Sequence, residues 1–257
     1  MSARRQRQMC IRDRFRNKMK NLWSLKASEI SKLYLSNEIS LDEIINSLEE
    51  RFNHVNPKIN AIPESTFEYA RKQAKLLDDN KKNNKPLGCL AGVPVTVKIN
   101  TDQTGFASTN GLRLNKSLIA NKNSIVVDNL EKAGAIIIGR TNTPAFSIRW
   151  FTNNSLHGHT FNPHNKRITP GGSSGGAASA TASGIGCIGH GTDIAGSIRY
   201  PAYACGIHGI RPSVGRVPMI NYSMPDRYIG GQIMAVSGPL ARSIKDLELG
   251  YDAMKQP

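Results

Sequence analysis

Three polar residues in this sequence stand where their types and neighbours can do chemistry. Two serine-bearing segments are rich in small residues: Gly171-Gly-Ser-Ser-Gly-Gly176 and Gly191-Thr-Asp-Ile-Ala-Gly-Ser-Ile-Arg199. A serine hydroxyl is a weak nucleophile until a base takes its proton. Glycines beside it let backbone amides converge on a developing oxyanion. Six histidines and many lysines are candidate bases, but no histidine stands in an obvious nucleophile–base pattern. Lys98 differs from the surface lysines because it follows the apolar run Val93-Pro-Val-Thr-Val97. A lysine at the end of a buried strand has its pKa lowered and can accept a proton.

The elements that must hold these residues follow from periodicity. Ala27 to Leu35 reads as a short helix. Ser40-Leu-Asp-Glu43 is a capping box opening a second helix, whose apolar face is Ile44, Ile45, Leu48 and Phe52. Asn56-Pro57 is expected to end it. Residues 64–82 are predicted as a third helix. These three helices read as a cap on the rest of the fold and not as a separate domain. Val93 to Ile99 reads as a strand, Ser124 to Lys132 as a helix closed by Gly134, and Ala135 to Ile138 as a short buried strand. Such alternation predicts an α/β fold with a sheet covered on both faces. Residues 171–210 hold 11 of the 23 glycines, interleaved with isoleucines that a flexible linker would lack. Glycine costs backbone entropy, so this density predicts close approach of the backbone to a ligand.

Composition removes other classes. Apolar residues make up 39% and charged residues 21% of 257, so a disordered chain is not expected. No run of 18 apolar residues exists, which argues against a membrane span. No apolar signal core follows Met1, and Cys10, Cys89, Cys187 and Cys205 form no C-x-x-C pair or disulfide framework, so a cytoplasmic location is expected. The net charge of +15 invites a nucleic-acid reading, but residues 1–20 hold eight of the 34 Lys and Arg against one acid. The remaining basicity is spread without aromatic interleaving, so no specific nucleic-acid partner is expected. Met9-Cys-Ile-Arg-Asp-Arg14 is similar to the translation of a DNA-sequencing adapter end. Residues 1–14 are therefore read as a non-native or disordered basic head, and 15–257 as one unit.

Each feature has a blander reading. A Gly-Gly-Ser-Ser-Gly-Gly run alone also suits a linker, and it is not a P-loop because no Gly-Lys-Ser/Thr follows. His157, His159 and His164 are close in sequence, yet no Cys or acid has ligand spacing, so no metal is expected. Cys205 is better read as a buried free cysteine than as a nucleophile.

Taken together, Gly92-Val-Pro-Val-Thr-Val-Lys98, Gly139-Arg-Thr-Asn-Thr-Pro144, Pro170 to Gly176, Gly191 to Arg199 and Gly238-Pro-Leu-Ala-Arg242 make the sequence similar to the amidase signature family from about Leu22 to Pro257. The resemblance implies a mixed central sheet with helices on both faces. It also implies a Ser-Ser-Lys triad: Lys98 as base, Ser173 as bridging serine after a cis Gly172–Ser173 peptide, and Ser197 as nucleophile. Backbone amides of Ile194, Ala195, Gly196 and Ser197 would form the oxyanion hole. Ser174, Asp193 and Arg199 would support it, the last two as an ion pair bracing the nucleophile loop. No cofactor is implied. The substrate would be a small-molecule amide, and a homodimer is compatible. Nothing in the residues selects which amide. Family members run to nearly twice this length, so the chain is read as the N-terminal portion of such an enzyme.

Two departures stand out. Ala195 occupies a position where the family usually has glycine, and Ile99-Asn100 follows the lysine where an acid is common. Two alternatives to a stand-alone amidase remain. One is the glutamine-hydrolysing component of an aminoacyl-tRNA amidotransferase, which needs partner subunits. The other is an inactive fragment or binding scaffold.

Overall fold

The computed structural model describes residues 21–224 and 229–255. The basic head expected over residues 1–14 lies outside them.

Helix α1 (Ala27–Leu35) leads into α2 (Leu41–Ile59), which opens on the expected box. Ser40 Oγ accepts from the Glu43 amide (3.2 Å), and the Glu43 carboxylate accepts from the Ser40 amide (2.8 Å). The helix does not stop at Asn56-Pro57 but runs on to Ile59, with Asn60 closing it in the left-handed region at φ 48°. Asn56 explains the extension. Its side chain accepts from the amides of Ala61 (3.0 Å) and Ile62 (2.9 Å) and donates to the Ile62 carbonyl (2.9 Å), so the turn after the proline is satisfied locally.

The predicted third helix is also corrected at its start. Glu64–Ser65 forms a short strand, β1, and α3 runs from Phe67 to Lys82. Two long-range contacts hold β1 extended: Thr66 Oγ1 donates to the Ile137 carbonyl (2.8 Å), and the Glu64 carboxylate pairs with Arg140 (3.1 Å). The chain continues through β2 (Pro94–Lys98), α4 (Ile125–Lys132) and β3 (Ile136–Thr141). The strand expected to end at Ile138 therefore gains Gly139, Arg140 and Thr141. A small hairpin, β4 (Asn153–Asn154) with β5 (Gly158–His159), precedes α5 (Gly175–Ala182) and β6 (Ile188–Asp193). Then come α6 (Arg199–Ala204), β7 (His208–Gly209), α7 (Ile229–Met234), β8 (Val236–Ala241) and α8 (Ile244–Met254), the last capped by Ser243, whose Oγ accepts from the Asp246 amide (3.2 Å).

The six-stranded sheet has the order β1-β3-β2-β6-β8-β7. The three central strands β3, β2 and β6 are mutually parallel, and the flanking pairings are antiparallel. Adjacent strand residues point to opposite faces. Ile188 packs on Gly250 of α8, where an added Cβ would come within 3.0 Å of it, and Gly189 lies against Ala177 of α5. Helices thus cover both faces, as expected. The first three helices share one core with the sheet, in which Ile30, Ile44, Leu48, Val95, Ile137 and Met254 are buried.

Candidate active site

In parallel sheets, functional groups gather at the carboxyl ends of the strands. Here β2 ends on Lys98, β3 on Thr141 and β6 on Asp193, with Lys98 in register with Thr141. Lys98 is fully buried. Its Nζ lies 2.7 Å from Ser173 Oγ, 2.8 Å from Thr192 Oγ1 and 3.1 Å from Ser174 Oγ. Burial penalises the ammonium and brings the pKa down to about 7, against a partial opposing pull from Asp193. Much of the amine is therefore neutral near pH 7, the form in which it can accept a proton.

Ser173 and Ser174 sit at the mouth of α5, and the Gly172–Ser173 peptide is cis. Gly172 is required there because a Cβ would strike the backbone of residues 149–151, at 2.5 Å from the Arg149 carbonyl oxygen. At this glycine the close approach is to other backbone.

Ser197 precedes α6 and is 9% exposed. It is tied to the serine turn through its backbone, as the Ser174 amide donates to the Ser197 carbonyl (3.1 Å). Among the described residues no hydrogen bond joins the Ser173 and Ser197 hydroxyls, so the relay contact expected between them is not closed here. Catalytic hydrogen bonds often tighten only when substrate is bound.

Asp193 organises the loop that carries Ser197. Its carboxylate accepts from the amides of Gly196 (2.8 Å) and Ile198 (3.0 Å) and takes Arg199 in a two-point pair (3.1 and 3.0 Å). Burial alone would raise its pKa, but the Arg199 and backbone hydrogen bonds outweigh it and hold it at about 2. The same carboxylate meets one of the four amides expected to form the oxyanion hole. The Gly196 amide is engaged by Asp193 and does not face outward, whereas the amides of Ile194, Ala195 and Ser197 have no hydrogen-bond partner among the described residues. The Ala195 departure proves harmless for the backbone. The left-handed position is Gly196, at φ 107°, and Ala195 is not among the residues of positive φ.

Asn100 does not hydrogen-bond the lysine amine but shares its Thr192 partner. Its Nδ2 donates to Thr192 Oγ1 (3.3 Å) and Ser147 Oγ (3.2 Å), and Ser147 in turn donates to Asn110 Oδ1 (2.6 Å). Sequence reasoning missed Thr192, although it stands inside the Gly191 to Arg199 segment. Its signal was the position just before Asp193 at the strand end. The three neighbouring histidines diverge: His164 bonds the Cys205 carbonyl (2.9 Å), His157 lies 3.4 Å from Thr109 Oγ1, and His159 meets the edge of Phe161. Cys205 is buried, and burial pushes its thiol up to about 12, as suits a core cysteine.

The site is thus a buried lysine at the carboxyl end of the central strand β2, hydrogen-bonded to paired serines beside a glycine-rich serine loop. The family model described as Amidase matches residues 43–257, and the chain belongs to that family. It is 44% identical to an indoleacetamide hydrolase of Bradyrhizobium diazoefficiens over 91% of this chain and 45% of the relative. It is 38% identical to one subunit of the glutamyl-tRNA(Gln) amidotransferase of Fusobacterium nucleatum, over 89% of this chain and 46% of the relative. A solved bacterial aryl acylamidase of the amidase signature family superposes with a TM-score of 0.85 at 33% identity, covering 91% of this chain and 48% of that one. The chain spans about half the length of the curated relatives it matches.

No helix among the described residues is long and apolar enough to cross a membrane.

Proposed function

We propose that residues 15–257 form part of one amidase domain that hydrolyses a carboxylic amide through Lys98, Ser173 and Ser197. The observation that carries this reading is the fully buried Lys98 amine held 2.7 Å from Ser173 Oγ. Neutral Lys98 accepts the Ser173 proton while Ser173 takes the proton of Ser197. Ser197 Oγ then forms a bond to the amide carbonyl carbon, and the negative charge on the carbonyl oxygen is met by the Ile194, Ala195 and Ser197 amides. Collapse breaks the C–N bond, with the proton returning through Ser173 to the leaving nitrogen. Water, deprotonated by the same relay, releases the acid and restores Ser197. Asp193 and Arg199 keep the loop in shape, and Ser174 steadies the lysine.

An apolar acyl group suits the surroundings. Phe146 and Trp150 are 60% and 61% exposed, and the Trp150 ring lies 6.2 Å from that of Tyr200, three residues beyond Ser197. Indoleacetamide, the substrate named for one similar protein, carries an acyl group of this kind. Identity to the amidotransferase component favours a second reading, in which glutamine is the amide. The test is release of ammonia or arylamine from indoleacetamide, an acyl anilide and glutamine. Hydrolysis of the apolar amides, abolished in Ser197→Ala, is expected. Turnover of glutamine alone would favour the second reading, and equal rates with Ser197→Ala would remove Ser197 from the reaction.

A further inference from the structure

Lys98 Nζ meets three hydroxyl oxygens, and only two belong to the serine turn. The third is Thr192 Oγ1, on β6, at 2.8 Å, and Thr192 is buried. An ammonium carries three N–H donors and no acceptor. Three oxygens around a buried nitrogen therefore match the charged form one for one.

We propose that Thr192 is the positioning residue of Lys98: its hydroxyl holds the amine beneath Ser173 and accepts the third hydrogen bond of the ammonium formed when a serine proton arrives. This rests on Lys98 acting as the base. Ser174 cannot take over the role. Its hydroxyl already donates to the Thr192 carbonyl (3.2 Å) and accepts from the Thr192 amide (3.2 Å), which leaves one lone pair for Lys98. Thr192 itself is fixed in two ways. It is β-branched and therefore stiff about χ1, and Asn100 Nδ2 also donates to its hydroxyl (3.3 Å).

The charged and titratable groups on the adjoining strands do not substitute for it. Asp193, next along β6, is spent on Arg199 and loop amides. His190, also on β6, accepts the Lys98 backbone amide at Nδ1 (3.4 Å) and faces Ser237 with Nε2 (3.1 Å), and burial keeps it neutral. Arg140 on β3 is paired with Glu64. None of these side chains hydrogen-bonds Lys98 Nζ.

The test is a nitrogen NMR titration of the lysine side chains in the full chain, with Lys98 assigned by its loss in Lys98→Met. Thr192→Val removes the acceptor, and Thr192→Ser keeps it. The Lys98 midpoint is expected to fall by about one pH unit in Thr192→Val, as loss of a hydrogen bond to a charged group implies, and to return in Thr192→Ser. Fluorophosphonate labelling of Ser197 is expected to slow about tenfold in Thr192→Val, with its acid limb displaced by the same amount. A merely structural role would slow labelling without moving the midpoint. An unmoved midpoint in Thr192→Val, or a Thr192→Ser midpoint displaced as far, overturns the proposal. Should Thr192→Val not fold, Thr192→Ala and Thr192→Ser make the same comparison. If the midpoint moves with Thr192 while wild-type Ser197 takes no label, the contact is supported and the triad reading is what fails.

Discussion

Lys98 Nζ and Ser173 Oγ, 75 residues apart in the chain, lie 2.7 Å from each other in the buried layer at the end of β2. Among the described residues no carboxylate is in hydrogen-bond contact with the amine. Its neighbours are hydroxyls, which stabilise an ammonium less than an anion would. Burial, which penalises the ammonium, is the physical origin of its depressed pKa, and these hydroxyls offset it only in part.

The depressed pKa has a consequence for stability. Between about pH 7 and 10.5 the unfolded chain holds a proton on Lys98 that the folded chain does not. The folded state should therefore gain stability as pH rises through this window, by up to ~1.4 kcal/mol per pH unit from this group. Urea unfolding of wild type and Lys98→Met at pH 7, 8 and 9 measures the slope. Lys98→Met should lack that increment, and parallel profiles would contradict a buried, uncharged lysine.

Asp193 is the keystone of the nucleophile loop, and its partners rank the effects of substitution. Asp193→Asn weakens bonds to two amides and to Arg199, and should cost about 2–3 kcal/mol at pH 7. Arg199 is 54% exposed at its side chain, so Arg199→Ala should cost no more than about 1 kcal/mol. Because the Asp193 pKa is held at about 2, its contribution is fully present above pH 3.8 and is lost only as pH falls through 2. Denaturation midpoints of the two variants check the order, and a larger loss for Arg199→Ala would refute it.

Positions 195 and 196 should respond to different degrees. Open space surrounds a Cβ built on Gly196, but its φ of 107° is unfavourable for any other residue. Gly196→Ala should cost about 1–2 kcal/mol and slow labelling of Ser197. Ala195→Gly should cost about 0.5 kcal/mol or less and leave labelling intact. Thermal unfolding paired with the labelling rate distinguishes them.

Arg140 is fully buried, donates to the carbonyls of Thr101 (3.1 Å) and Ala107 (3.0 Å), and pairs with Glu64. It clamps the segment after Lys98 onto β3. Arg140→Met strands these partners and should cost about 3–5 kcal/mol, with Arg140→Lys recovering only part because an ammonium lacks the planar fork. Equal stability of Arg140→Lys and wild type would show that the geometry of the fork is irrelevant.

The segments carrying Lys98, Ser173 and Ser197 were legible because their signals are local: an apolar strand before a lysine, and serines set among glycines. The Ser40–Glu43 cap was legible for the same reason. What escaped depends on contacts distant in sequence. Asn100 meets Thr192 across 92 residues, and no periodicity encodes that meeting. The Gly196 amide is taken by a carboxylate only three residues back, but a turn of this kind reads equally as an open anion nest. Pro57 failed to stop its helix because Asn56 supplies partners for the turn beyond it.

The central claim is that Lys98 activates Ser197 through Ser173. Peptide mapping after exposure to a serine-directed fluorophosphonate tests it most directly. The account predicts an adduct on Ser197 in the wild-type chain, a label absent in Ser197→Ala, and a rate reduced by at least about 100-fold in both Lys98→Met and Ser173→Ala. An adduct on another serine, or full-rate labelling of Ser197 without Lys98, would contradict it.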